Sequence, residues 1–479
     1  MSSSYLDTRD LKRLQQLGAV VLIAGAIMGL IKLGDLDRLA GYLLILMASA
    51  APMFFWLRKG AMGLPILPLT ALGYFVYYGM PVIDENSGRY TPAEILAAAV
   101  TVAIFLGAAT LSWRLVAFRH SGRFDRDRAL HLERALPNLM LSALLLAATF
   151  QIGDRENWLS FLGPWYGAFD SLALSAAAVG CFLFGAALGR RQLSAGQKWA
   201  GSLLITVLTI LQITSLIMHG AILFLAAVLI GFVLSAKRIP WLAMAAFTVA
   251  ASLLHMSEGR ERQQYWTRSD PDVSVMEMPS MLVGWFGAAI GEIGNGTADE
   301  NRSLAARATQ LSTLLLVEGE SPQNIPFLEG ATYANFPRML IPRFLSPDKL
   351  ISQANLHLLS VYYHLQDAED TETTTISWNL VPEAYANFGN IGAFFSGLVF
   401  GLLTGGIAFI TSGAPLISLR GLVGLAALVT LLDVEYDFSY LMLNLLQAMF
   451  SISMFYFALK FLEPRPATYP ARAPHRLVQ

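Results

Sequence analysis

Apolar positions in this chain run in long blocks and show little alternation. Residues 93–113, 199–218, 388–410 and 440–457 are nearly unbroken stretches of Leu, Ala, Ile, Val, Phe and Gly. Each is close to the ~20 residues that carry a helix across a bilayer. In lipid the backbone must satisfy its own hydrogen bonds, so such blocks predict helices. Windows of this length predict about twelve spans: 17–33, 39–57, 64–83, 93–113, 135–152, 169–188, 199–218, 220–235, 241–255, 388–411, 415–432 and 440–460. A tight turn at Met218-His219-Gly220 is expected between the seventh and eighth. The first block carries no small-residue cleavage site and is expected to be a retained signal anchor.

The expected organisation is an N-terminal membrane bundle of about nine spans (1–255), a large polar loop (256–387), a three-span bundle (388–462) and a disordered tail (463–479) rich in proline. Within the loop, 281–291 is apolar but too short to span, which predicts a re-entrant or interfacial segment. Residues 303–317 and 349–365 have helical apolar spacing. Pro322, Pro326, Pro337, Pro342 and Pro347 interrupt the stretch between them, so 321–348 is expected to be mostly irregular.

Composition supports the membrane reading. Hydrophobic residues make up 55% and charged residues only 14%, where a soluble chain carries about 25% charged residues. The charges are sorted by connection. One alternating set holds most of the Lys and Arg, among them Arg13, Arg58, Lys59, Arg114, Arg128, Arg191, Lys237 and Arg420. The short connections of the other set hold only Lys32, Arg38, Arg89 and Arg155. The positive-inside rule then puts both termini in the cytoplasm and the large loop outside, periplasmic in a bacterial inner membrane. The lone Cys181 excludes an intrachain disulfide and a zinc site built from several cysteines.

The loop holds seventeen acids and eight bases, a net of −9. Its bases are grouped: Arg260 and Arg262 early, Arg338, Arg343 and Lys349 in the proline-rich stretch. Such groups suit phosphate, because guanidinium offers a fork of donors that matches its oxygens; pairing with nearby acids is the structural alternative. Glu383 follows Pro382 at the predicted head of the tenth span, at the membrane surface. It either complements the helix dipole or accepts a proton from a sugar hydroxyl at the aqueous rim. Asn387, one turn later, shares its face. His357 and His364, seven apart, are read on one helical face, in a hydrogen-bonding or packing role. His219 is a site or interface residue in its turn. No His-Glu-x-x-His pattern, phosphate-binding glycine loop, dinucleotide fingerprint or Gly-x-Ser-x-Gly elbow occurs, so neither metal nor cofactor is expected. The spans carry almost no charge away from their ends, which disfavours an ion-coupled carrier. No nucleic-acid partner is expected.

Three segments carry a resemblance: Ile325-Pro326-Phe327-Leu328-Glu329-Gly330-Ala331-Thr332-Tyr333, Leu340-Ile341-Pro342-Arg343-Phe344-Leu345-Ser346-Pro347-Asp348-Lys349, and Glu383-Ala384-Tyr385-Ala386-Asn387-Phe388-Gly389-Asn390-Ile391-Gly392. Together with the topology they resemble the Wzy-type O-antigen and exopolysaccharide repeat-unit polymerases. The resemblance implies an all-helical bundle similar to the GT-C glycosyltransferases. It implies transfer of a growing glycan from undecaprenyl pyrophosphate to a hydroxyl of a new lipid-linked repeat. Arg338, Arg343 and Lys349 would stabilise the leaving pyrophosphate, and Glu383 would take the acceptor proton. Membrane lipids and lipid-linked glycans are the implied partners, and a chain-length regulator protein stays open. The sequence departs from the family where an Arg is common in a small-residue turn; here that turn holds His219. A glycan ligase acting on a lipid or protein acceptor is the nearest alternative, and a flippase or exporter a more distant one.

Overall fold

A computed structural model describes residues 7–83, 90–118, 136–215, 218–250, 266–267, 270–271, 274–295, 310–341, 346, 349–372, 375–415 and 418–461. These residues are overwhelmingly helical. In chain order the helices are α1 (Thr8–Lys32), α2 (Leu36–Arg58), α3 (Ile66–Ile83), α4 (Pro92–Ala117), α5 (Leu136–Arg155), α6 (Tyr166–Gly189), α7 (Ala195–Ile213), α8 (Met218–Ala236), α9 (Trp241–Ala250), α10 (Met278–Asn295), α11 (Gln310–Glu320), α12 (Ala331–Met339), α13 (Ala354–Tyr362), α14 (Leu380–Thr411), α15 (Leu419–Leu431) and α16 (Phe438–Phe461). One pair of two-residue strands, Trp266–Thr267 with Asp270–Pro271, is antiparallel.

Among the described residues, eight helices are long and apolar enough to cross a membrane: α1 to α6, α14 and α16. They mark the chain as a membrane protein. α8, α9 and α15 are apolar but shorter. The expected count of about twelve is therefore not reached by length and composition among the described residues.

Several helix starts are written locally. Thr91 opens α4 with a capping box: its hydroxyl accepts the Glu94 N–H, Glu94 reaches back to the Thr91 N–H at 2.7 Å, and Pro92 sits where a helix needs no donor. Ser194 and Gln197 repeat the device at α7. α3 widens into a π turn over Phe75–Gly79, and Tyr78 from that turn donates to Asn379 Oδ1 at 2.8 Å. Asn379 in turn caps α14 through the Val381 N–H.

The core has two main parts. One gathers α2, α3, α4 and α14, with Tyr74, Tyr78, Phe105 and Phe400 buried. The other gathers α5, α6 and α8 against α15 and α16. Both depend on close helix approach through small residues. A Cβ at Gly401 of α14 would land on the Ala109 carbonyl oxygen and the Ser112 hydroxyl of α4; one at Gly397 would land on the Phe105 carbonyl. Gly185 and Gly231 make the same approach between α6 and α8. Ser112 also donates across to the Leu398 carbonyl at 3.0 Å.

At one end of the bundle the basic connections meet. The Asp7 N–H donates to the Lys237 carbonyl, Asp10 accepts the Ile239 N–H, and the Arg114 guanidinium lies 3.9 Å over the Phe55 ring. At the other end, helices from 310–372 pack on α4, α14 and α16.

Four expectations are revised or refined. α8 already begins at Met218, so His219 sits in its first turn and not in a tight turn between α7 and α8. Residues 281–291 belong to an 18-residue helix, α10, which seats Met278, Met281 and Trp285 with Leu211 of α7. The stretch 321–348 is mostly irregular among its described residues, as expected, but α12 occupies 331–339, with Pro337 in its last turn. Packing of Tyr333 and Phe336 against Phe438 stabilises that helix despite the proline. The tenth span begins at Leu380, eight residues earlier than expected, because an outer segment joins it through a kink at Phe388-Gly389.

Candidate functional site

The kink in α14 organises the site. Phe388 (φ −148°, ψ 18°) and Gly389 (φ 61°, ψ −149°) leave the helical region. A broken helix exposes carbonyls that would otherwise accept bonds from the next turn. Here a loop fills them. The Leu328 N–H donates to the Ala386 carbonyl at 2.9 Å and the Glu329 N–H to the Asn387 carbonyl at 3.2 Å. The Gly330 N–H donates to Asn387 Oδ1 at 2.9 Å.

Two aromatic rings then interlock across two glycines. The Phe388 ring sits 3.1 Å from where a Cβ of Gly330 (φ 92°) would be, and the Phe327 ring 3.2 Å from that of Gly389. Both glycines have left-handed φ and a ring close to where a Cβ would sit, so a side chain at either would strain backbone and contact together. Between them Glu329 also adopts a left-handed backbone (φ 49°).

Below this seam lies a buried polar knot. Glu383 is fully enclosed, and its Oε2 accepts the Phe438 N–H at 2.6 Å. Asn387 Nδ2 donates to Thr332 Oγ1 (2.9 Å) and to the Glu383 carbonyl (2.8 Å). That leaves the Thr332 hydroxyl proton to turn toward the Glu383 carboxyl. Asp437, also fully enclosed, caps α16 by accepting the Ser439 and Tyr440 N–H groups. It faces Asn355, whose amide donates to the Thr332 carbonyl and Ser439 Oγ at 2.9 Å each. Glu383 and Asp437 lie close enough to repel. Among the described residues each has one carboxylate oxygen without a hydrogen-bond partner.

Burial pushes the Asp437 carboxyl up to about 6, although the Tyr440 N–H, Asn355 and the Ser439 N–H pull it down. Burial also drives the Tyr333 hydroxyl well above its usual range, helped by the nearby Glu383 and Asp437 charges. A second buried acid, Glu318 of α11, is pushed up to about 7 by burial; the Thr101 hydroxyl of α4 donates to it at 2.6 Å.

The Asp437 shift has a sign. Below about pH 4 the carboxyl is protonated folded and unfolded alike; between about 4 and 6 only the folded chain keeps the proton, so stability falls as pH rises through that window. Asp437→Asn keeps an oxygen acceptor for the cap and removes the buried charge. It should be more stable than the wild type above pH 6, by a net of about 1 kcal/mol once the weaker neutral hydrogen bonds are counted. Melting curves at pH 4.5 and 7.5 test this; a variant whose stability falls with pH as the wild type's does would assign the titration to another group.

On the outer side of the seam, an apolar cleft of about 770 Å³ runs along α14. Its walls include Phe327, Tyr333, Phe388, Ile391, Phe395 and Phe438, and its polar edge includes Glu329 and Asn387. Ile391, Phe395 and Val399 are exposed on successive turns of α14, so the cleft continues onto that helix's outward apolar face.

The residues singled out from sequence are only partly gathered here. Glu383 and Asn387 do share one face, as the spacing requires, but it is a buried face. Glu383 is not at an aqueous rim, because α12 and the start of α16 cover it. Arg338 ends α12 and is exposed; Lys349 is half-buried beyond it. His357 on α13 is half-buried, with Nε2 3.4 Å from Thr375 Oγ1, and burial lowers its affinity for a proton. His364 does not share its face: α13 ends at Tyr362, and His364 takes a left-handed backbone (φ 55°). Arg260, Arg262 and Arg343 lie outside the described residues, as does the side chain of His219. Among the described residues no three His, Cys, Asp or Glu side chains converge as a metal site.

Asp437, Asn355, Thr332 and Glu329 were not singled out from sequence. Asp437 had a readable signal, an acid just before an apolar run, which is a common helix cap. No family model, curated protein or solved structure matches this chain.

Proposed function

We propose that this protein is a glycosyltransferase of lipid-linked oligosaccharides, joining repeat units carried on a polyprenyl pyrophosphate at the outer face of the membrane. The observation that carries the reading is the cleft. It is apolar along a membrane-spanning helix and ends at a carboxylate-bearing turn, which matches a substrate with a hydrocarbon tail and a polar head. The segments that build it, 325–333 and 383–392, are two of the three in which the chain resembles Wzy-type polymerases. Under this reading the tail lies along Ile391, Phe395 and Val399. The pyrophosphate is held by bases of the 338–349 stretch, with Arg338, Arg343 and Lys349 as its candidates. The chain crosses the membrane about twelve times with both termini cytoplasmic. The meeting of the basic connections at one end of the bundle and the 310–372 helices at the other supports that topology.

The test is direct. Purified protein in liposomes is given polyprenyl-pyrophosphate oligosaccharides extracted from cells lacking it. A ladder of repeat number supports a polymerase, a single attachment to a lipid core or protein supports a ligase, and no new glycosidic bond overturns the reading. Ile391→Asp, on an exposed wall of the cleft, should raise KM for the lipid-linked donor by about tenfold or more, the loss expected from one misplaced charge against an apolar tail. An unchanged KM would remove the tail from this cleft.

A further inference from the structure

We propose that Glu329, and not the enclosed Glu383, is the carboxylate that takes the proton from the acceptor hydroxyl; this rests on the transferase reading above. A general base must come within about 2.6–3.2 Å of the hydroxyl it deprotonates. Glu383 has no exposed surface, and one of its oxygens is committed to the Phe438 N–H at 2.6 Å. Glu329 is exposed and lines the cleft at its polar edge.

Its backbone adds a second, independent observation. A residue with a Cβ pays of order 1 kcal/mol to occupy the left-handed region. Glu329 occupies it at φ 49°, held there by three consecutive N–H bonds to Ala386 and Asn387. Glycine or asparagine would adopt this turn at lower cost. The strain is therefore borne by a residue that lines the cleft, in a turn clamped against the kink of the membrane helix. Tyr333 is a poor substitute, because burial keeps its hydroxyl protonated.

In the step, the acceptor oxygen bonds to the donor's anomeric carbon. The bond from that carbon to the pyrophosphate oxygen breaks, and its electron pair leaves with the lipid pyrophosphate. The hydroxyl proton passes to Glu329, which returns it to water at the cleft mouth; Glu383 has no such exit. Glu383 then acts as a positioning residue: its carboxyl holds the start of α16, and with it Phe438, against the cleft.

The experiment uses the full chain in liposomes with the same extracted lipid-linked oligosaccharides. Glu329→Gln should lower kcat by about 10²- to 10⁴-fold, the usual contribution of a general base, with KM within about threefold of the wild type. Glu329→Ala should fall similarly and regain about tenfold in formate, a small carboxylate able to enter the vacated space. Glu383→Gln, whose amide oxygen still accepts the Phe438 N–H, should lose less than Glu329→Gln. Wild-type kcat in Glu329→Gln, or a loss confined to KM, overturns the assignment while the transferase reading stands. An inactive wild type overturns both. Because Glu329 is exposed, its variants should elute and melt as the wild type does.

Discussion

Asn387→Ala should lose about 3 kcal/mol of stability and nearly all transfer activity. The amide makes three hydrogen bonds, from Gly330 N–H and to Thr332 Oγ1 and the Glu383 carbonyl, all between 2.8 and 2.9 Å. Each is worth about 1 kcal/mol, and more where the partner left behind is buried. Asn387 is wholly enclosed, so water cannot take its place without opening the seam. The activity should fall because the turn that carries Glu329 is clamped to the kink through its hydrogen bonds to 386–387 and the Phe327–Gly389 and Phe388–Gly330 contacts. Asn387→Asp separates this account from a simple loss of volume. It is nearly isosteric and still offers an acceptor to Gly330, but it loses both donated bonds and brings a charge beside the Glu383 carbonyl. It should therefore be less stable than Asn387→Ala at pH 7. Thermal melts in detergent, paired with the liposome assay, read both effects; an Asn387→Asp protein that melts like the wild type would dissolve the clamp.

How far this site was legible in the sequence depends on how local each of its causes is. The pairing of Glu383 with Asn387 on one face is local, four residues on a helix, and it was readable. The burial of that face is not: it comes from Phe438, 55 residues later, and from α12, which arrives from the loop. An acid behind a proline at a helix head looks the same whether water or another helix lies above it. The outer boundary of α14 failed for a related reason. Hydropathy sees the apolar run from 388 onward, but the helix starts at Leu380 because the kink at Phe388-Gly389 lets a second segment pack into the loop domain. Proline counting could not show the helix at 331–339, because the rings that pack on it come from Phe438, a distant segment. Glu329 could not be found at all from propensity: its left-handed backbone is imposed by hydrogen bonds to residues 57 and 58 positions away. What the blocks did reveal was the membrane character and most of the long helices, because span length and apolarity are properties of the segment alone.

The largest loss of stability is expected where no functional residue is involved. Gly401→Val should cost more than about 3 kcal/mol, at or beyond the upper end for overpacked cores. The reason is the identity of the neighbour. At most positions an added methyl meets the end of a side chain, which can rotate away. At Gly401 the Cβ itself would meet the Ala109 backbone carbonyl and the Ser112 hydroxyl, so α4 and α14 must separate along the seam that also includes Gly397. Separation would break the Ser112 bond to the Leu398 carbonyl and loosen Phe105 from Phe400. It would also shift Asn390, the residue after the kink, away from Thr101, and so disturb the base of the cleft. Trimming the facing residue should not help: Ala109→Gly leaves the colliding oxygen in place, and the double variant should melt no higher than Gly401→Val alone. Gly406 supplies the control on the same helix. A Cβ there meets nothing within 4 Å, and replacing glycine by alanine inside a helix gains about 1 kcal/mol. Gly406→Ala should thus match or exceed the wild-type melting temperature. Equal melting temperatures for the two variants would mean that α4 and α14 do not meet through this stripe.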